Sequence, residues 1–475
     1  MRVSLTTWAL VLASFASGCG DGTDAGAGSA GGTNRLRVEG RWLVDPDGGV
    51  VILHGANVSG RAKGPPFVAL EDPAGFDPLA AWGFNVVRLL TSWEAIEPSP
   101  GVYDTVYLDR YVALVRAAHA RGIEVLVDMH QDVWSRAFCG DGAPAWALPA
   151  DAEPFPPEAC GPGWFAFQFT PAVAAAVDHF WRSDELRAHY RDAVVEVAKR
   201  LRDEPGVLGY DLMNEPIGYS EILGQPDYER DRLSPFYRDV SAAIRAVDPA
   251  ALVFLEPPGA AGVGFPSFLE PLGAPGAVLA AHCYDPIQAT LGVYLGTRDA
   301  RERRYREILD FAESLGMAPF IGEWGVYESV PNKQEALADE VAIHDRLMLS
   351  GTIWNYEPTG YDWNGEGGSI VEAGGAERPF MDVLVRPYPW RIAGEPERFG
   401  YDPASGAFEL AFRDRAGARG DTIVFAPERR FPSGLSVTVS DGRFALEAIA
   451  GGHLVRWTAA SRSASHTMRV APATR

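Results

Sequence analysis

Eight short apolar runs, separated by longer stretches of helical spacing, fill the chain from Val50 onward, and few folds accommodate such a series. The runs are VVILHGANV from Val50, NVVRLL from Asn85, EVLVDMH from Glu124, VLGYDLMNE from Val207, ALVFLEP from Ala251, VLAAHCYD from Val278, APFIGEW from Ala318 and GTIWNYE from Gly351. They are continuous rather than alternating, as parallel strands are when helices bury both of their faces. The intervening stretches, such as LDRYVALVRAAHARG from Leu108, SDELRAHYRDAVVEVAKRL from Ser183 and RERRYREILDFAESLG from Arg301, carry apolar residues three and four apart. Gly122 and Gly316 end two of them, the usual place for glycine after a helix. Strands and helices in this order predict a (β/α)8 TIM barrel over 35–385. A doubly wound open sheet is the alternative, but no GxGxxG follows the first run to support it.

After Arg386-Pro387-Tyr388-Pro389 the period changes to two, in FELAFRD, DTIVFAP, LSVTVSD, FALEAIA, HLVRWTAA and HTMRVAP. This predicts a small antiparallel β-sandwich domain over 386–475. Without an obvious row of exposed aromatics, a structural role is expected for it rather than sugar binding. At the other end, LRVEGRWLVDPDGGVV reads as a hairpin capping the lower face of the barrel.

Arg2 followed by LTTWALVLASF, Leu5 to Phe15, reads as an export signal whose apolar stretch is too short to span a bilayer. Residues 1–19 end in Ala16-Ser17-Gly18-Cys19, which resembles the lipobox of bacterial lipoproteins. That resemblance implies a diacylglycerol on the Cys19 thiol and membrane contact through the anchor. The alternative is an ordinary cleaved signal in which Cys19 is incidental. Residues 20–34 are Gly-rich and poor in apolar side chains, as a flexible tether is. Export places the remaining cysteines where disulfides persist. Cys139 and Cys160 share one Gly/Pro-rich segment that a disulfide could staple, while Cys283 lies inside an apolar run as a small buried hydrophobe. No CxxC pair or Cys/His spacing suggests a metal, so neither metal nor cofactor is expected. The formal charge of -21, from 42 Lys+Arg against 63 Asp+Glu, excludes a nucleic-acid partner and is compatible with a neutral sugar. A monomer is expected.

Barrels of this kind do their chemistry at the carboxyl ends of the strands. The residues there read His54 and Asn57, Arg88, Asp128 and His130, Asn214 and Glu215, Glu256, His282 and Tyr284, Glu323, and Trp354. A buried carboxylate without a role costs several kcal/mol, so glutamates ending the fourth and seventh runs need a reason. Retaining glycoside hydrolysis supplies one: two carboxyl groups ~5–5.5 Å apart, one protonated to serve the leaving oxygen and one ionised to attack the anomeric carbon. Asn214 precedes Glu215 and is placed to bond a substrate hydroxyl, and Pro216 ends the strand. Arg88 and Tyr284 are expected to keep Glu323 ionised, with Glu215 holding its proton against that neighbouring charge.

Asn214-Glu215-Pro216 at the fourth run, together with Arg88, His130, His282, Tyr284, Glu323 and Trp354 in order, resembles glycoside hydrolase family 5 over nearly the whole barrel. The resemblance implies Glu215 as acid/base and Glu323 as nucleophile. Asp128-Met129-His130-Gln131-Asp132-Val133-Trp134-Ser135-Arg136, then Gly140-Asp141-Gly142-Ala143-Pro144-Ala145-Trp146, looks like the endoglycoceramidase branch, whose members split oligosaccharide from ceramide in glycosphingolipids. By the same resemblance Lys63, His130, Asp132 and Trp354 hold the sugar beside the glutamates, although Lys63 judged alone reads as a surface lysine. The long segment after the third run, to about Thr170, carries Trp134, Phe138, Trp146, Phe155, Trp164, Phe165, Phe167 and Phe169, which fit either half of a glycolipid or the loop's own core. Two other readings stay open: a family member acting on glucosyl or galactosyl lipids, sterol glucosides or β-glucan, and a surface lipoprotein that binds glycans without cleaving them.

Overall fold

The computed structural model describes residues 35–218, 226–460 and 465–473; the export signal, Cys19 and the tether lie outside them. The eight runs become eight parallel strands: His54–Val58, Val86–Thr91, Glu124–Met129, Val207–Asp211, Val253–Leu255, Ala277–Cys283, Ala318–Trp324 and Gly351–Tyr356. They close into a barrel in chain order, the eighth beside the first. Nearly every residue in them is buried, which is why the runs do not alternate. Gly55 is required where the first two strands meet, because a Cβ there would lie 1.7 Å from the Val86 carbonyl oxygen.

The helices start and stop on local chemistry. Thr105–His119 begins where the Asp104 carboxylate accepts the Tyr107 N–H at 2.9 Å, and Asp184–Leu201 where the Ser183 hydroxyl accepts that of Leu186 at 3.1 Å. Arg298–Ser314 ends just before Gly316, which takes φ +66°.

Leu53, Val86, Leu126, Leu208, Phe254 and Phe320 fill the lower barrel, and Leu36, Val38 and Leu43 of the N-terminal hairpin close it from below. The hairpin does more than cap. Its other face carries Trp42, Val44, Val50 and Ile52 into the core of the C-terminal β-sandwich. Its strands Arg37–Glu39, Trp42–Val44 and Val50–Val51 begin a seven-stranded sheet that continues through Tyr388–Ile392, Thr422–Pro427, Gly452–Thr458 and Arg443–Ile449. A second sheet runs Glu395–Asp402, Ala407–Arg413, His466–Pro472, Leu435–Val439. Tyr388–Ile392 and Glu395–Asp402 are strands that period-two reading does not find, because Pro387, Pro389 and Pro396 break the pattern.

His54 departs from its expected place. It starts the first strand rather than ending it, and so sits at the floor, stacked on Tyr388 at 4.2 Å with Nε2 3.1 Å from the Leu349 carbonyl. Arg386 lies beside it, paired to Asp345 at 2.6 Å, and His344 packs on Trp324 at 4.5 Å. Burial drives His54 and His344 well below the ordinary histidine range, and the Arg386 guanidinium pushes the same way. An unfolded histidine takes up its proton at pH ~6.5 and these folded ones do not, so their share of the stability is complete above pH ~7 and is lost as the pH falls below ~6.5. The variant His344→Gln, less stable at neutral pH, should show a slope of urea-unfolding free energy against pH that is shallower by about 1.4 kcal/mol per pH unit over this acid limb, one proton-equivalent. An unchanged slope would mean that His344 is already charged in the folded protein.

Candidate active site

At the barrel mouth the polar groups converge on one cation. Arg88, on the second strand, is fully buried, and its guanidinium spends every nitrogen on neighbours. Nε donates to Asp211 Oδ2 at 2.9 Å. Nη1 donates to Asn57 and to Glu323 Oε1, both at 3.0 Å. Nη2 donates to Asp128 Oδ1 and Asn214 Oδ1 at 2.8 Å and to Glu256 Oε1 at 2.7 Å. The partners come from strands one, three, four, five and seven, so this side chain sets the relative positions of five strand ends.

Four carboxylates around one guanidinium cannot all be ionised without further cations. Burial raises the Asp211 carboxyl well above its ordinary range, and adjacent Glu256 adds to this. Burial would also raise Glu256, but the His282 and Arg88 cations hold it down at about 2. His282 would lose its charge through burial, yet Glu256 and Glu323 keep it protonated, well above the ordinary histidine range. Its Nδ1 donates to Glu215 Oε1 at 2.8 Å and stands 3.6 Å from Glu323 Oε2.

The two glutamates are held in different surroundings. Glu323 is almost wholly buried between Arg88 and Tyr284, whose hydroxyl donates to Oε2 at 2.8 Å. Burial lifts its carboxyl above the usual glutamate range, and the His282 and Arg88 cations oppose that lift. Glu215 is more open, and its backbone sits at φ +35°, a conformation that side chains rarely adopt. Three bonds impose it: Gln131 Nε2 donates to the Asn214 and Glu215 carbonyls at 2.9 Å, and the Glu215 N–H donates to Glu256 Oε2 at 2.7 Å. Gly259 leaves room for the carboxylate, since a Cβ there would fall 2.7 Å from Glu215 Oε2. One oxygen of Glu215, one of Glu323 and a ring nitrogen of His282 all lie within 4.8 Å of one another.

A second charged wall adjoins the first. His130 Nδ1 donates to Asp128 Oδ2 at 2.8 Å, its Nε2 lies 3.2 Å from Asp132 Oδ2, and its ring stacks on Trp354 at 5.5 Å. Burial alone would discharge His130, but Asp128 and Asp132 push it up to about 10. Lys63, from the turn after the first strand, is buried rather than solvated: Nζ donates to Asp132 at 2.7 Å and to Glu366 at 2.9 Å, over the rings of Trp363 at 4.2 Å and Trp354 at 4.6 Å. Asp141, 1% exposed, has no hydrogen-bond partner on either carboxylate oxygen, and burial beside Asp132 pushes it up to about 8. His130, Asp132 and Asp141 could offer a metal three ligand atoms, as could Glu215, His282 and Glu323. In each set a protein cation already sits on a carboxylate, Lys63 on Asp132 and Arg88 on Glu323.

A family model described as cellulase (glycosyl hydrolase family 5) matches residues 44–360, and one for the glycoside hydrolase family 5 C-terminal domain matches 386–470. The chain belongs to glycoside hydrolase family 5. Within it, endoglycoceramidase I of Rhodococcus hoagii (strain 103S) is 31% identical over 433 residues, 86% of this chain and 83% of that protein. Endo-glycoceramidase II from Rhodococcus sp. shares the architecture: its ganglioside GM3 complex matches with TM-score 0.81 at 28% identity, covering 91% of this chain and 99% of that one. Its lactosyl-enzyme intermediate matches with TM-score 0.79 at 30% identity, covering 91% and 100%. This family 5 protein is therefore an O-glycoside hydrolase of the endoglycoceramidase branch.

Of the residues picked from the sequence, Arg88, Asn214, Glu215, His282, Tyr284 and Glu323 meet in the first cluster and Lys63, His130, Asp132 and Trp354 in the second. Asn214 has less freedom to bind substrate than its place suggests, because Oδ1 accepts from Arg88 and one Nδ2 hydrogen goes to the Gln131 carbonyl at 3.1 Å. Cys139 and Cys160 form a disulfide, and Cys283 is buried and free. The aromatics of the third loop divide: Trp134 and Phe138 are core, Trp164 packs on Trp363 at 4.8 Å, and Phe165 and Phe169 are exposed. Strand-end position does not single out Gln131, Asp141, Asp211 or Glu366.

Replacing Arg88 by an apolar side chain leaves Asp128, Glu256 and Glu323 buried without their shared cation. Arg88→Met should cost about 3–5 kcal/mol of stability at neutral pH in urea unfolding. A loss below about 1 kcal/mol would place these charges in the class of solvated pairs.

Proposed function

We propose that this enzyme hydrolyses the β-linkage between the oligosaccharide and ceramide of glycosphingolipids with retention, Glu323 acting as nucleophile and Glu215 as acid/base. The observation that carries the reading is how close the two carboxylates stand: an oxygen of each lies within 4.8 Å of the other, and His282 Nδ1 is 2.8 Å from Glu215 Oε1 and 3.6 Å from Glu323 Oε2. An inverting enzyme needs ~6.5–9.5 Å to seat a water, whereas a retaining one brings the carboxyl groups to ~5–5.5 Å.

A Glu323 oxygen attacks the anomeric carbon while Glu215 protonates the departing ceramide oxygen. Water then displaces Glu323 and leaves its proton on Glu215. The donors Arg88 and Tyr284 favour the Glu323 anion that attacks, and the pair balance each other as charge passes into the glycosyl bond and back. The His282 N–H on Glu215 fixes its rotamer toward the leaving oxygen. Lys63, Asp132 and His130 offer charged hydrogen-bonding groups to sugar hydroxyls, and Trp354 offers an apolar ring face.

An amphiphilic substrate is supported by the distribution of exposed apolar side chains. Phe165 and Phe169, Phe265 and Phe268, and Leu291 and Leu295 all stand exposed on loops that leave the carboxyl ends of strands three, five and six. Charged groups at the strand ends with exposed apolar side chains on the loops that follow them suit a polar headgroup at the former and acyl chains at the latter. Export with a lipid on Cys19 remains part of the proposal, and the disulfide Cys139–Cys160 is in keeping with an oxidising compartment. A mass gain of a diacylglyceryl group on Cys19, blocked by globomycin, checks the anchor; an unmodified thiol refutes it.

Product analysis on a ganglioside, a glucosylceramide and a cellooligosaccharide tests the substrate. Release of the intact glycan from the ganglioside, first seen by NMR as the β-anomer, is expected. Hydrolysis of the cellooligosaccharide alone would sink the ceramide reading, and the α-anomer first would sink retention. Glu215→Gln should slow ganglioside hydrolysis by ~10²–10⁴; on an aryl β-glycoside, whose leaving group needs no proton, it should spare the first step and slow the second, seen as a burst of aryl alcohol followed by slow turnover. Glu323→Ser should abolish both.

A further inference from the structure

The four edges of the two sheets are not equally defended: Leu435–Val439, five residues long, and Arg443–Ile449, seven, carry no proline and no bulge, whereas the other two are defended. Arg37–Glu39 is three residues long, and Glu395–Asp402 carries Pro396 and a register shift between Pro396 and Arg398. Short strands, prolines and bulges are the usual means of keeping an edge from pairing with another chain. Arg443–Ile449, the last strand of the seven-stranded sheet, has none of them. Its sequence RFALEAI contains no proline, glycine or lysine, and it pairs with Gly452–Thr458 through seven consecutive residues without a bulge. Among the described residues no strand pairs with its outer edge. Six of its seven residues are exposed, Phe444 at 41% and Leu446 at 46%.

We infer that this edge is a dimer interface, on which the same strand of a second copy of the chain pairs antiparallel about a twofold axis at Ala445. In that register each residue faces its counterpart reflected through Ala445, so Arg443 stands opposite Glu447 and Phe444 opposite Leu446. Side chains alternate, and the two sets fall on different faces. Phe444 and Leu446 lie on the face of Trp457 and Val455, their cross-strand partners, both of which are sandwich core. The dimer thus continues the apolar inner face across the seam. Arg443, Ala445 and Glu447 lie on the opposite face. Arg443 has no ion-pair partner among the described residues, and Glu447 pairs with Arg456 alone, so the twofold gives each Arg443 a carboxylate and each Glu447 a second cation. Moving the axis one residue to Leu446 sets Arg443 opposite Ile449 and Glu447 opposite Ala445, which loses both ion pairs. The side chains themselves therefore select the register. An isologous contact of this kind closes on itself and leaves no edge for further growth. It lies on the sandwich, and its test is independent of the catalytic reading.

The experiment is sedimentation velocity over a concentration series at physiological ionic strength, where a Debye length of ~8 Å screens the repulsion between two chains of charge -21. Wild type should show a reversible monomer–dimer equilibrium. Arg443→Glu and Glu447→Arg each place like charges opposite one another twice, and should each raise the dissociation constant at least about tenfold. Mixing the two variants in equal amounts should restore dimers. The introduced carboxylate of one chain then meets the introduced guanidinium of the other, and the native Glu447 and Arg443 meet at the second site. Unaltered melting curves of the variants separate a lost interface from a lost fold. Wild type that stays monomeric throughout overturns the dimer, and so do variants that associate as wild type does; a mixture that stays monomeric while wild type dimerises overturns the register.

Discussion

The mouth of this barrel is organised by one guanidinium. Among the described residues Arg88 is the only cation that touches Asp128, Asp211, Glu256 and Glu323 together, and it reaches them on four different strands. Removing these charges from water is expensive, and an ion pair of this kind seldom adds net stability over apolar packing. What it adds is position. A planar fork with five N–H donors admits few arrangements of its acceptors. Once Arg88 is fixed by Asn57 and Asp211, the distances to Asn214, Glu256 and Glu323 follow. Glu215 is then placed at one remove, through the Glu256 carboxylate that accepts its N–H.

The N-terminal hairpin plays the corresponding part at the other end. Three short strands, marginal alone, become stable because both faces are buried: Leu43 and Val51 on the barrel floor, Trp42 and Val44 in the sandwich. They make the barrel and the sandwich share a layer. Arg386 at the junction is tied to Asp345 of the helix Lys333–Leu347, between the seventh and eighth strands, and Tyr388 reaches back to the Gly83 carbonyl at 2.6 Å. Those contacts account for the Arg386-Pro387-Tyr388-Pro389 segment: it is the seam between two cores rather than a linker.

The barrel was legible because burial on both faces writes each strand as an unbroken apolar run, and a polar residue at its end stands out. Glu215, Glu323 and Arg88 are visible by that contrast. Where the contrast fails, so does the reading. His54 follows VVIL without a break, so nothing local shows that the barrel strand begins at His54 and not at Val50. Asp211 lies inside a run and passes for strand interior, although its Oδ2 accepts from Arg88 Nε at 2.9 Å. Glu366 sits in Asn364-Gly365-Glu366-Gly367-Gly368, a segment with every mark of a solvated turn, and its partner Lys63 is 303 residues away. A pair that distant leaves no local trace in either segment. For the same reason Lys63 looks like a surface lysine until the fold supplies its carboxylates.

Taken together, the two clusters form a single line of alternating charge: Glu323, Arg88, Asp128, His130, Asp132, Lys63 and Glu366, each in contact with the next. Four carboxyl groups and three cations share it, with Asp211 and Asp141, both pushed up by burial, alongside. In such a chain no pair has a strength of its own, because each charge is polarised and positioned by both neighbours. At the far end of the line from Glu323, burial leaves a carboxyl, Glu366, pushed up to about 7, close to neutrality. Any rearrangement at Lys63, which donates to both Glu366 and Asp132, is felt by Asp132, then His130, then the Asp128 that Arg88 holds. The surroundings of Lys63 and the setting of Glu323 are in this way parts of one electrostatic object. Single substitutions along the line should therefore be non-additive, and only cycles that remove two members at once can apportion their effects.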